Sequence, residues 1–358
     1  MKVALVHDDL IQWGGAERVL QALSEIFPDA PIYTSIYNPK NPHLKRAFAN
    51  KKIRTSFLQK IPFNNILYRA LVLFYPMAFE QFDFSEYDLV ISQTTRFAKS
   101  VITKPKTRHI CFCHTPPRFL WNFSGEVPPV VIKPFLSFLR IYDRSSSKRV
   151  DKFIAGSENA KKRIEKVYQQ KALVCQPFVE VEKFKTNKNF QGDYYLVVSR
   201  LVKYKKVDLA VECFNKRGDR LIVVGDGPEL SSLIKLAQPN VEFLGKVSDR
   251  LLTSLLSGCK GLIVPAEEDF GMTALEAQAA GKGVIAYGVG GSRETVKSGL
   301  TGVFFDRQTK ESLSDALTRF EGLQIDQANC LANAERFSRD KFKVKFQQTI
   351  DSLYSSSA

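Results

Sequence analysis

The feature that most constrains this chain is an alternation. Short apolar runs rich in β-branched residues take turns with stretches whose apolar residues recur at helical spacing, and the pattern runs through the chain twice. In the first series the runs are KVALV (2–6), PIYTS (31–35), DLVIS (88–92), HICFC (109–113) and KFIAG (152–156). In the second they are YYLVVS (194–199), RLIVVG (220–225), VEFLG (241–245), GLIVP (261–265) and GVIAY (283–287). Ala16, Val19, Leu20, Leu23 and Phe27 mark a helical face after the first run, and VDLAVECFN (207–215) does the same in the second series. Strands alternating with helices predict α/β architecture, with parallel sheets covered by helices on both faces. A chain of 358 residues exceeds what one core organises, so two series predict two Rossmann-like domains. The expected division is residues 1–180, 181–335 and a helix over 336–358 packing back toward the first domain, with Phe337, Phe342 and Phe346 among its charges. The join falls in the polar, lysine-rich VEVEKFKTNKNFQGD (179–193). Such domains bind ligands at the carboxyl ends of their strands, so the site is expected in a central cleft that both domains face.

Composition enters as a set of exclusions. No apolar run approaches the roughly 20 residues a membrane-spanning helix needs. MKVALVHDD passes straight from apolar residues to acids without a small-residue cleavage site; it reads as a first strand and not a signal peptide, and a cytoplasmic location is expected. Of six cysteines only Cys111 and Cys113 are close. With no second Cys/His pair at ligand spacing, reduced buried thiols are expected and structural zinc is not. The net charge of +15 favours anionic partners: nucleic acid, anionic lipid headgroups or phosphorylated substrates. No helix-turn-helix, zinc or RNA-binding signature accompanies it, so nucleic acid is not an expected partner.

The chemistry concentrates in PAEEDFGMTALEAQAAGKGV (265–284), where Glu267, Glu268 and Asp269 precede a glycine, a helical stretch and Glu276. A helix entrance offers N–H groups and a dipole that invite a phosphate. Carboxylates crowded there could hydrolyse a bond as a pair, cap the helix, or read hydroxyls beside a phosphate. A cap needs one acid, whereas Glu268 and Glu276 flank the N–H groups of Phe270, Gly271 and Met272. A nucleotide sugar fits this arrangement, with its diphosphate on the N–H groups and its ribose and hexose hydroxyls on the carboxylates. SRLVKYKKVDLAV (199–211) adds Arg200 and Lys205 after the first strand of the second series. A fixed fork and a point charge suit a diphosphate, although lysine-rich loops are often only solvated. GDGPE (225–229) reads as a tight turn with Pro228 opening a helix. Gly14 and Gly15, after the first strand, let a ligand approach the backbone or simply turn the chain. They do not form G-x-G-x-x-G, which leaves a nicotinamide reading weak. His114, in FCHTPPRFLW (112–121), ends a strand where it either faces a ligand or is held in a loop.

Taken in order, GGAERV, HTPPR, SRL-x3-K, GDGPE and the E-x7-E of EDFGMTALE resemble the family 4 retaining glycosyltransferases of GT-B fold, over Val3 to about Phe346. HTPPRFLW is similar to bacterial mannosyltransferases of polysaccharide and O-antigen assembly. The resemblance implies that Arg200 and Lys205 hold the donor diphosphate and stabilise it as it leaves. It implies Glu268 at the donor sugar's hydroxyls, Glu276 on the nucleotide ribose, and Phe270, Gly271 and Met272 as the backbone segment at sugar and phosphates. Gly14 and Gly15 then line the diphosphate and acceptor, and His114 lies near the reacting sugar. Lys206 departs from the glycine many members carry there, and Gly283 from a common proline. The implied reaction moves a hexose, mannose from GDP-mannose first, to a saccharide or polyprenyl-linked acceptor. No cofactor is implied, and no D-x-D triplet for a metal is present. A glycoside hydrolase would leave the cation pair without a purpose, and a nucleotide-sugar epimerase would need a second acid/base set. Residues 51–82 and 135–150 interleave basic and large apolar residues, with Glu80 the only acid in the first stretch. They suit either a solvated core segment or a surface approaching anionic lipid.

Overall fold

The protein is described by a computed structural model covering residues 1–125, 128, 130–184 and 192–355. Residues 185–191 of the lysine-rich join thus lie outside the described residues. The chain forms two compact units, Met1–Gln176 together with the chain from Lys343 onward, and Pro177–Phe342.

The first unit holds seven strands: β1 (Val3–His7), β2 (Ile32–Thr34), β3 (Ile53–Thr55), β4 (Leu89–Thr94), β5 (Arg108–Cys113), β6 (Lys152–Ala155) and β7 (Ala172–Val174). They pair in the order β3-β2-β1-β4-β5-β6-β7, every neighbour parallel. The second unit holds β8 (Tyr195–Val198), β9 (Leu221–Val224), β10 (Val241–Gly245), β11 (Leu262–Val264), β12 (Val284–Tyr287) and β13 (Gly302–Phe305). Its order is β10-β9-β8-β11-β12-β13, again all parallel. These are two Rossmann-like α/β domains, as the double alternation predicts.

Side-chain alternation explains why the strands read as continuous apolar runs. In β8, Leu196 joins a core with Ile222, Leu262 and Val284, while Tyr195 and Val197 join another with Val223, Ile263 and Ile285. Both faces are buried beneath helices, so both alternating sets must be apolar. The first sheet is covered likewise, with Ala4, Val6 and Val90 in one core and Cys111, Phe153 and Ala155 in another. The last helix, Arg339–Ser355, ends in the first unit. There Phe346 is fully buried with its ring 6.0 Å from that of Phe112, and Lys343 pairs with Glu25 at 3.0 Å.

Three strands lie outside the runs identified in the sequence: β3, β7 and β13, all at sheet edges. An edge strand pairs on one side only and is short. All three residues of β3 are only half-buried, so no apolar run marks it. The helical pattern over 327–353 is two helices, Gln327–Glu335 and Arg339–Ser355, and not one.

Candidate functional site

In the second sheet the chain steps outward from β8 through β9 to β10, then returns beside β8 as β11 and steps the other way. The loops leaving β8 and β11 therefore diverge, and a crevice opens at the carboxyl ends of these two strands. The first loop carries Arg200 and Lys205, the second Glu268. Lys205 Nζ donates to both Glu268 carboxylate oxygens, at 2.6 and 2.7 Å, with 13% and 23% of the two side chains exposed. The exposed Arg200 donates to the Tyr204 hydroxyl at 2.5 Å. Topology thus makes direct partners of two residues 63 positions apart, where the sequence reading had assigned them to different parts of one ligand.

Beyond Glu268 the helix Met272–Ala279 begins, with Gly271 as its N-cap at φ +95° and no side-chain cap. The N-cap position itself is thus a glycine and not one of the crowded acids. Phe270 is buried, Met272 opens the helix, and Glu276 lies in the second turn with 7% of its surface exposed. The first N–H groups of a helix have no partner within it, so this entrance presents donors in the same crevice as the Lys205–Glu268 pair.

A third loop, Gly288–Glu294 after β12, supports this segment and was missed in the sequence. Gly291 N–H donates to the Glu268 carbonyl at 2.7 Å, and Glu268 bridges Gly290 as a parallel pair. A Cβ on Gly291 would overlap the Phe270 Cα and the Asp269 carbonyl oxygen. The signal was present as a glycine pair just past a strand, the same pattern as Gly14–Gly15. Ser292 follows, fully buried, its hydroxyl without a partner among the described residues.

GDGPE is a clamp on the Arg200 loop. Ser199 N–H donates to Val224 O at 3.0 Å, Leu201 N–H to Asp226 O at 2.9 Å, and Glu229 N–H to Leu201 O at 3.0 Å. Gly225 and Gly227 press so closely on the carbonyls of Ser199 and Leu201 that a Cβ on either would overlap them. Lys206 has φ +53°, the left-handed conformation glycine adopts without steric cost.

The first sheet turns back between β1 and β4. Gly14, extended, caps the helix Gly15–Ile26 beyond β1. His114 follows β5, half-buried, with its ring 5.0 Å from that of Phe112 and its Nε2 2.6 Å from Gln93 Nε2. Gln93 also donates to the Ala16 carbonyl at 2.7 Å. The glycine turn, the end of β4 and His114 are thereby brought together. Asp8 and Asp9, which the sequence reading did not use, are buried beside them. Asp8 accepts six hydrogen bonds from the segment Thr94–Ala98. Asp9 accepts from Tyr75 and is ion-paired with Arg96.

On the same unit, residues 57–77 and 130–144 present Phe63, Met77, Val130, Phe138 and Ile141 with 52–77% of their surfaces exposed. The helices Tyr75–Glu80 and Leu136–Ser147 are joined through Glu80, whose Oε1 accepts from Tyr142 at 2.8 Å and from Arg149 at 2.6 Å. Glu80, the one acid of residues 51–82, is consumed internally, while Lys60, Lys133 and Arg144 stay exposed. No helix among the described residues is long and apolar enough to cross a membrane. Nor is any group of three or more His, Cys, Asp or Glu among them placed to hold a metal ion.

Residues 13–183 match the family described as Glycosyltransferase Family 4, and residues 178–337 match Glycosyl transferases group 1. An uncharacterized glycosyltransferase of Methanocaldococcus jannaschii is 26% identical over 56% of this chain, which spans 58% of that relative's length. An alpha-1,3/1,6-mannosyltransferase of Dictyostelium discoideum is 22% identical over 99% of this chain and 97% of its own. Among solved structures, Anabaena HepE in complex with UDP and glucose superposes with a TM-score of 0.74 at 18% identity, covering 98% of this chain and all of the other. That likeness is one of fold, GT-B. The two family matches overlap at residues 178–183 and together run from residue 13 to residue 337, and they support a glycosyltransferase of the family 4 type.

Proposed function

We propose that the protein transfers a hexose from a nucleoside-diphosphate sugar to a saccharide acceptor, retaining the configuration at the anomeric carbon. The observation that carries this is the Lys205–Glu268 pair at the β8/β11 crevice, beside the entrance of the helix Met272–Ala279. The donor diphosphate takes the Lys205 ammonium, Arg200 and the N–H groups at Gly271 and Met272. Glu268, relieved of part of its ion pair, accepts hydrogen bonds from the sugar hydroxyls, and Glu276 from the ribose. The bond from the anomeric carbon to the diphosphate oxygen breaks, and negative charge grows on the diphosphate, where fixed cations and N–H donors are most effective. The acceptor oxygen attacks from the face the diphosphate leaves, and its proton passes to the departing phosphate oxygen. Gly14, Gly15 and His114 serve the acceptor and the reacting sugar.

GDP-mannose is the favoured donor, on the resemblance of HTPPRFLW and the name of the Dictyostelium relative. UDP-glucose is its rival, since the Anabaena structure holds UDP and glucose. A thermal-shift and donor-hydrolysis panel of GDP-mannose, UDP-glucose, UDP-galactose and UDP-N-acetylglucosamine tests both. GDP-mannose should stabilise most and be slowly hydrolysed. A UDP sugar ranking first rejects mannose, and no response to any of them rejects the transferase reading.

The acceptor is proposed to be polyprenyl-linked, in cell-surface polysaccharide synthesis. Support comes from the exposed apolar and basic surface of residues 57–77 and 130–144, which fits an anionic bilayer at the inner face of the membrane. Sedimentation with phosphatidylglycerol vesicles at low salt, absent with phosphatidylcholine vesicles and weakened by Phe138→Ser with Ile141→Ser, is the expected result. Equal recovery with both vesicles rejects the surface as a lipid contact.

A further inference from the structure

Gln93, the penultimate residue of β4, is in register with His7 of β1 and Phe112 of β5, and its side chain is fully buried. Its amide nitrogen stands 2.7 Å from the Ala16 carbonyl oxygen and 2.6 Å from His114 Nε2. A carbonyl oxygen only accepts, so the group facing it must be the NH2 of the amide. The opposite amide orientation would set oxygen against oxygen. With the nitrogen so placed, one amide proton goes to Ala16 and the other points at His114. His114 Nε2 must then offer a lone pair, which puts the imidazole proton on Nδ1 and leaves the ring neutral. The arrangement has a cost: Gln93 Oε1 is buried with no partner among the described residues. Such a group destabilises a fold, so packing alone would favour an apolar residue here.

We propose that Gln93 is a positioning residue, which holds His114 in its neutral Nδ1–H tautomer and ties the imidazole to the Gly14–Ala16 turn. This rests on the transferase reading for its purpose, though not for its geometry. His114 then cannot take a proton through Nε2, because a proton there would meet an amide proton. Its part in the reaction is to donate from Nδ1 or to orient, and not to act as base through Nε2. A ligand that moves the glycine turn also moves His114, since one amide holds both.

The test uses the full chain labelled with 15N-histidine. There are four histidines, and His114→Asn identifies the resonances that belong to position 114. At neutral pH the wild-type protein should show a protonated Nδ1 and a bare Nε2 at His114. Gln93→Glu should reverse the tautomer, because a carboxylate accepts from Nε2–H, and Gln93→Leu should give a mixture. With GDP-mannose or UDP-glucose, whichever the panel selects, Gln93→Leu should lower kcat about tenfold or more with donor KM within about threefold. A wild-type His114 protonated on Nε2, or charged at neutral pH, overturns the inference and leaves the transferase reading standing. The expected tautomer with unchanged kcat in both Gln93 variants also overturns it, since position then does not matter. No turnover of any sugar in a wild-type protein with the expected tautomer instead sinks the transferase reading.

Discussion

The two sheets turn back at corresponding places, β1/β4 and β8/β11, and treat the acids there in opposite ways. Asp8 is 4% exposed, and both its oxygens are saturated by backbone and hydroxyl donors of Thr94–Ala98. Burial alone would raise its pKa, but the Arg96 guanidinium, His7 and the N–H donors of Thr95 and Ala98 outweigh burial and hold the carboxyl below its ordinary range. Glu268 keeps 23% of its side chain exposed, and one lysine, Lys205, is its ion-pair partner among the described residues. An acid that organises its own loop has nothing left for a ligand. An acid held by one lysine can exchange part of that bond for a hydroxyl. Position at a switch point is therefore not enough to mark a functional carboxylate; what matters is whether its hydrogen-bonding capacity is already spent.

Paired substitutions can break this contrast. Lys205→Ala should remove roughly 2–4 kcal/mol of transition-state stabilisation, a loss of about 30- to 900-fold in kcat, with thermal stability nearly unchanged. Unchanged turnover would remove Lys205 from the site. Asp8→Ala should do the reverse, costing about 3 kcal/mol or more of stability by stranding buried N–H groups. Both tryptophans, Trp13 and Trp121, lie in the first unit, so denaturant unfolding followed by tryptophan fluorescence reports on that unit alone. A midpoint unmoved by Asp8→Ala would make the two acids alike.

Acid sharpens the same contrast. Burial pushes His109 down to about 4, against the opposing pull of Asp151 and the Arg149 carbonyl. Its folded pKa lies below its unfolded one, so folding excludes a proton that the unfolded chain takes up. As pH falls from about 6.5 to about 4, the first unit should lose about 3 kcal/mol from this residue. Asp8 adds to the loss at lower pH, because a depressed carboxyl contributes above its unfolded pKa and ceases to contribute as pH falls through the folded one. His7 runs the other way: burial lowers its pKa, but Glu17, Asp8 and Asp9 outweigh burial, and its contribution fades as pH rises. Tryptophan-detected midpoints at pH 7 and pH 5 that coincide would contradict the His109 assignment. The smallest effect concerns Lys206. Replacing it with glycine should relieve about 1 kcal/mol of left-handed strain, measurable as a small rise in thermal midpoint, and a fall would show that its side chain packs.

Much of this was legible in the sequence, because interior strands of a parallel sheet must be apolar on both faces. DLVIS, HICFC and GLIVP announce themselves for that reason, while the half-buried edge strand β3 does not. Arg200, Lys205 and Glu268 were found as cations and acids in loops after strands. Their pairing was not, since partnership between positions 205 and 268 depends on β8 and β11 being neighbours. Gly291 and Gln93 were missed for a related reason. Each acts through a contact with a distant stretch of chain, Phe270 in one case and His114 in the other, and neither carries a charge that draws attention. The glutamine within DLVISQTT was nevertheless a clue, because a buried polar group beside an apolar run needs a partner.

The placement of the last helix has a consequence for synthesis. Phe346 covers Phe112 in the first unit, yet the whole second unit is translated between residues 176 and 343. At about 5–20 residues per second, the first sheet waits on the order of 10–30 s for its final cover after its last strand has left the ribosome. The second unit, continuous in the chain, waits for nothing. The unit translated first is thus the one completed last, and during that interval the apolar surface around Phe112 is exposed to whatever else binds nascent chains.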